Sequence, residues 1–130
     1  MARAMRIDKA GKLRLTEAEM FVQVDDFLRA HGWRVFVTGY GEIHRGGRVV
    51  ATVGEVGMPD RLCIRYGSGN YAEVIWLEGK RKKSKGDSGG KLRDGQKEWI
   101  AAEERRGATI HVPRSLEGFQ AWYRETIGER

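Results

Sequence analysis

One stretch, Gly57 to Lys80, constrains the fold of this chain more than any other. It opens Gly57-Met58-Pro59-Asp60, continues as Arg61-Leu62-Cys63-Ile64-Arg65-Tyr66 and crosses Gly67-Ser68-Gly69-Asn70. It then returns as Tyr71-Ala72-Glu73-Val74-Ile75-Trp76-Leu77-Glu78-Gly79-Lys80. Both halves are rich in aliphatic and aromatic residues and the link tolerates positive φ, so the stretch reads as a β-hairpin. In an antiparallel hairpin the start of one strand lies beside the end of its partner. Asp60 is therefore expected beside Glu78 and Lys80 at one sheet edge, and Glu78 and Lys80, two residues apart, share a face.

Two carboxylates held about 4 Å apart at an effective dielectric near 20 repel by roughly 4 kcal/mol, so the pair calls for a proton or a cation. Hard oxygen donors with open positions suit Mg²⁺ or Mn²⁺. A lysine beside such an ion can orient water and stabilise negative charge developing on a phosphate. These residue types together point to metal-dependent phosphodiester hydrolysis.

A chain of 130 residues is long enough for one domain with a real core. Hydrophobic residues make up 40% and charged residues 32%, with four Trp, which favours a globular chain over a disordered one. The formal net charge of +6 favours a polyanionic partner, nucleic acid above all once the hairpin is considered. A single cysteine, Cys63, excludes an intrachain disulfide, and its Leu62 and Ile64 neighbours suggest a core position. No apolar run approaches a membrane span or a signal segment, so an intracellular location and no membrane partner are expected. His31, His44, His111 and Cys63 lack ligand spacing, which argues against a zinc or nucleophile-based enzyme.

Residues 1–15 carry Arg3, Arg6, Lys9, Lys12 and Arg14 against Asp8 alone and show no sustained periodicity, so they read as a mobile basic arm, either solvated or touching a phosphate backbone. Residues 16–130 read as a single domain. Thr16 is a good N-cap for a helix ending near His31 and Gly32, with Glu17 and Glu19 in its first turn. Met20, Phe21, Val24, Phe27 and Leu28 form its apolar stripe. Glu17 continues that stripe inward, whereas Glu19 aligns with Gln23 and Asp26 on the wet side.

Strands are expected over Trp33–Thr38 and Arg48–Val53, with a flexible glycine-rich loop from Gly39 to Gly47 between them. That loop lacks the Gly-Lys-Ser/Thr ending of a phosphate-binding P-loop; Tyr40, His44 and Arg45 are its candidate substrate contacts. After the hairpin, a basic run containing Arg81, Lys82, Lys83, Lys85 and Lys91 leaves directly from Lys80 and reads as a phosphate contact. Asp94 then caps a helix from Gly95 to about Arg106, stopped by Gly107, with Gln96, Trp99, Ile100 and Glu103 on one face. On that face Gln96 is either an ordinary first-turn polar residue or an amide reaching a metal-bound water or a phosphate. A short strand over Ala108–Val112 and a helix capped by Ser115, with Phe119, Trp122 and Tyr123 as a packing patch, complete the order α-β-β-β-β-α-β-α.

Glu17, Gly57-x-Pro59-Asp60, Glu78-x-Lys80 and Gln96-x-x-Trp99, followed by Gly107 and Val112-Pro113-Arg114-Ser115, resemble the VRR-NUC family of virus-type replication-repair nucleases. That family is a branch of the PD-(D/E)xK superfamily, and the match runs from Thr16 to Tyr123. The resemblance implies a restriction-endonuclease-like α/β core, a mixed central sheet flanked by helices. It makes Glu17, Asp60 and Glu78 acidic metal ligands, with the Gly79 carbonyl a further ligand. Lys80 becomes the catalytic lysine and Gln96 the polar residue of the following helix. Glu17 is set apart from Glu19 by periodicity alone, since the family's helix acid often lies in a Ser/Thr-Glu-x-Glu context. The implied activity is Mg²⁺- or Mn²⁺-dependent endonucleolytic cleavage of branched DNA in replication, repair or recombination, as in homodimeric Holliday-junction resolvases of phages or bacteria. A flap-type repair nuclease, or an idle nucleic-acid-binding module on the same scaffold, are the alternatives.

Overall fold

The computed structural model describes residues 6–7, 13–14, 16–79 and 92–128. Lys80, Arg81, Lys82, Lys83, Lys85 and Lys91 lie outside the described residues, as does most of the basic arm. Within the arm, β1 (Arg6–Ile7) pairs antiparallel with β2 (Leu13–Arg14), a short ladder where no regular structure was expected. Two-residue strands are too brief to leave a periodic signature in sequence.

α1 spans Glu17–Ala30 with Thr16 as N-cap. Thr16 Oγ1 accepts from Glu19 N at 3.0 Å, and Glu19 Oε1 accepts from Thr16 N at 3.1 Å. This reciprocal capping box draws Glu19 back over the helix start, so it is half-buried rather than on the wet face. Gly32, at φ 86°, takes the left-handed conformation that ends the helix.

β3 (Arg34–Val37), β6 (Arg61–Tyr66), β7 (Ala72–Leu77) and β8 (Thr109–His111) form a four-stranded sheet in the order β3-β6-β7-β8. The first two pairings are antiparallel and β7–β8 is parallel, so the sheet is mixed. The β6–β7 hairpin turns where expected, with Arg61 opposite Leu77 and Tyr66 opposite Ala72. The stretch read as a loop instead contains a strand, β4 (Gly41–Arg45), which pairs with the expected strand β5 (Arg48–Val53) as a separate ribbon. α2 spans Asp94–Arg105 and α3 Leu116–Thr126.

Alternation along the strands gives the sheet two different faces. Cys63 and Ile75, opposite each other in the ladder, join Leu77 in packing with Met20, Phe21, Val24 and Leu28 of α1 and Phe119 and Tyr123 of α3. Trp33 completes this core, and its indole Nε1–H donates to the Tyr123 hydroxyl at 3.0 Å. Trp76 points the other way and meets Trp99 of α2 edge to face, with ring centroids 5.0 Å apart. The sheet therefore lies between α1 and α3 on one side and α2 on the other. Phe119 and Tyr123 are buried and Trp122 packs against them, as the expected patch requires. Cys63 is fully buried, and burial pushes its thiol up to about 12.

His111 stacks on Trp122 with centroids 4.4 Å apart, and burial lowers its pKa from 6.5 to about 4. The unfolded chain therefore takes up this proton more readily than the folded one. The resulting stability is present above pH 6.5 and is lost as pH falls toward 4. In urea titrations at pH 7 and pH 4.5, His111→Phe should lose about 1–2 kcal/mol less stability than the wild type, allowing for partial exposure.

Candidate active site

Asp60 ends the turn that leads into β6, and its backbone is fastened from two sides. Thr38 N donates to the Asp60 carbonyl at 2.8 Å and Thr38 Oγ1 donates to the Pro59 carbonyl at 2.8 Å. Arg61 Nη1 donates to the same Asp60 carbonyl at 3.1 Å. The side chain then accepts from the strand beyond β7, with Gly79 N–H donating to Asp60 Oδ2 at 3.3 Å. The start of one strand and the end of the next thus meet through a named bond.

Glu78 follows β7 and is 2% exposed. Its backbone N–H donates to the His111 carbonyl at 3.1 Å, continuing the parallel ladder past β8. Gln96 Nε2 donates to Glu78 Oε1, while Gln96 Oε1 accepts from Arg93 N at 2.9 Å. Periodicity explains why these groups coincide. Trp76 and Glu78 are two apart on one strand face, and Gln96 and Trp99 are three apart on one helix face, so both pairs engage together. Gln96 therefore acts through Glu78 as well as at the helix start. It also moves the N-cap from the expected Asp94 to Arg93, whose backbone N–H it satisfies.

Two glycines set the spacing. A methyl group at Gly79 would overlap the ring of Phe21, so β7 can approach α1 this closely only without a side chain. Gly57, at φ 88°, lies against the Gly95 carbonyl and Trp99, which ties the loop before Asp60 to the start of α2. Glu17 is half-buried at the start of α1, one turn before Phe21 on the same helix side. Among the described residues, no group of three or more His, Cys, Asp and Glu side chains is arranged to hold a metal ion. Asp60 and Glu78 thus form a pair rather than a finished triad.

Beside this edge is a cleft of about 280 Å³ lined by Tyr40, Val56, Gly57, Met58, Asp60, Arg93, Gly95 and Gln96. Of the three residues proposed from the glycine-rich stretch, Tyr40 lines it, whereas His44 and Arg45 lie out on the β4–β5 ribbon. The Tyr40 hydroxyl donates to Glu42 at 2.9 Å, a bond that raises its pKa.

Three residues escaped the sequence reading. Arg93 lines the cleft, and among the described residues no acid pairs with its guanidinium. Asp25, 8% exposed, pairs with Arg61 at 3.3 Å, and the guanidinium lies 4.3 Å from the centre of the Phe21 ring. Burial raises the Asp25 pKa above its ordinary value against the pull of Arg61. The available signal was Asp25 sitting four residues beyond Phe21, inside the apolar stripe. Arg61 thereby links α1 to the Asp60 backbone.

Comparison of the chain with protein-family models, curated proteins and solved structures gives no match.

Gly79→Ala should destabilise the fold by about 1–3 kcal/mol through overpacking. Trimming the ring in Phe21→Leu should recover much of that loss, so urea titration of both single variants and the double variant should give a favourable coupling energy.

Proposed function

We propose that this chain is a metal-dependent DNA endonuclease of the VRR-NUC type, built on a restriction-endonuclease-like core and acting on branched DNA such as a four-way junction. The observation that carries the reading is the placing of Asp60 and Glu78 at one sheet edge, Asp60 bonded to the N–H of Gly79 next to Glu78 and Glu78 bonded to Gln96, beside a cleft lined by Arg93. The resemblance in sequence supplies the activity and the substrate class, and the net charge of +6 suits a polyanion.

The donor chemistry fits a small divalent cation. Mg²⁺ is commonly held by one or two carboxylates, with water and substrate phosphate oxygens completing its shell. Asp60, Glu78 and the Gly79 carbonyl would hold it, with Glu17 as the further acid from α1. When bound, such an ion polarises a phosphoryl oxygen and lowers the pKa of water.

The chain's own groups have separate tasks. Gln96 orients Glu78, and Gly79 N–H orients Asp60. Arg93 meets the negative charge of a phosphodiester entering the cleft, and the Tyr40 ring forms part of its wall. Lys80, next after Gly79 in sequence, stabilises charge developing on the phosphate. The basic run from Arg81 to Lys91 tracks the backbone beyond the cut.

Cleavage of a labelled four-way junction and a matched linear duplex in Mg²⁺ or Mn²⁺ tests the reading. Junction-selective cutting should be abolished by EDTA and by Lys80→Ala; activity that survives both would overturn the proposal. Gln96→Ala should raise the Mg²⁺ concentration needed for half-maximal cutting by roughly 10- to 100-fold, because a group that orients a ligand is lost. An unchanged Mg²⁺ titration would remove that role from Gln96.

A further inference from the structure

We infer that the β4–β5 ribbon is a second nucleic-acid contact, a projecting arm that places Arg45 and Arg48 on the backbone phosphates beside a groove of the duplex held at the cleft. The inference rests on the nucleic-acid partner proposed above.

The ribbon is a two-stranded sheet of its own, hydrogen-bonded to no strand of the central sheet. Every residue from Glu42 to Val53 is exposed. Its tip is the two-residue turn Gly46-Gly47, with φ 61° and 73°, and a methyl group on either glycine would meet nothing within 4 Å. Arg45 and Arg48 face each other across that turn. Like charges directly opposite on a ladder are destabilising, and among the described residues no acid pairs with either guanidinium. An anion from outside the chain would relieve that repulsion.

Position links the arm to the cleft. Tyr40, immediately before β4, and Val56, Gly57 and Met58, shortly after β5, all line it. A duplex entering the cleft meets the arm where it leaves the body of the protein. Six residues of strand reach about 20 Å, and a major groove admits a two-stranded ribbon. The ladder sorts the side chains, because cross-strand partners share a face. Arg45 and Arg48 lie on one face with Ile43, Ala51 and Val53, and Glu42, His44, Val49 and Thr52 lie on the other.

The test is fluorescence anisotropy of a labelled four-way junction across 50–200 mM NaCl, without added divalent metal. It compares the wild type, Arg45→Gln/Arg48→Gln, and Arg105→Gln/Arg124→Gln, which removes the same charge from exposed positions on α2 and α3. The ribbon variant should bind at least about tenfold more weakly at low salt. Its slope of log K against log[salt] should be shallower by about 1.8, the value for two phosphate contacts. Equal losses in both variants, or a wild-type slope in the ribbon variant, would overturn the assignment. So would a loss that merely follows dissociation of a self-associated form in sedimentation, which would make the ribbon a contact between copies. Cleavage separates the two proposals. A ribbon-dependent slope in a protein that cuts no DNA retains the arm and removes the nuclease, whereas normal cutting with a wild-type slope does the reverse.

Discussion

The hydrogen bond from Gln96 to Glu78 is the tie on which the geometry of the cleft depends. One carboxamide faces a backbone N–H with its oxygen and a carboxylate with its nitrogen, and only one orientation of the amide satisfies both. The first turn of α2 and the end of β7 are consequently placed by the same group. Three residues further along the helix, Trp99 meets Trp76, so an apolar contact and a polar one act along one line of the interface. The Gln-x-x-Trp spacing matters because it matches the strand's period of two to the helix's turn.

The opposite face of the sheet uses arginines differently. Arg61 and Arg65 lie at the two ends of the buried face of β6. The first pairs with Asp25 of α1, and the second with Glu73 of β7 at 2.8 Å while also donating to the Tyr123 hydroxyl at 3.1 Å. Both are stacked on rings, Arg61 on Phe21 and Arg65 on Trp33. Buried pairs of this kind contribute little net stability compared with apolar substitutes, since desolvation offsets the attraction. Their effect is directional. Each guanidinium fixes how a helix is set on the strand, and Arg61 carries that constraint to the Asp60 carbonyl.

Much of this arrangement was legible in the sequence. The hairpin turn at Gly67–Asn70, the Thr16 and Ser115 caps, the stop at Gly32 and the apposition of Asp60 to Glu78 all follow from local rules that tertiary packing did not overrule. The first strand of the ribbon was missed because glycines at 39, 41, 46 and 47 leave only Glu42 to Arg45 between them, too short a run to show alternation, although Gly46-Gly47 is itself a hairpin signal. The cap of α2 was misplaced by one residue because an acid at position 94 looked sufficient, whereas a glutamine two residues later supplies the bond. Asp25 and Arg61 were hidden for a different reason. Each is unremarkable alone, and only the packing of α1 over β6 makes them partners.

Cys63 has a practical consequence. It is the chain's one cysteine, lies fully inside the core beside Ile75, and burial holds its thiol protonated at neutral pH. Alkylating reagents attack thiolates, so Cys63 in the native protein should react slowly with maleimides without any engineering of the background. A cysteine introduced at the ribbon tip would take a fluorophore there alone, and the distance from that dye to one on a DNA arm could be followed on single molecules.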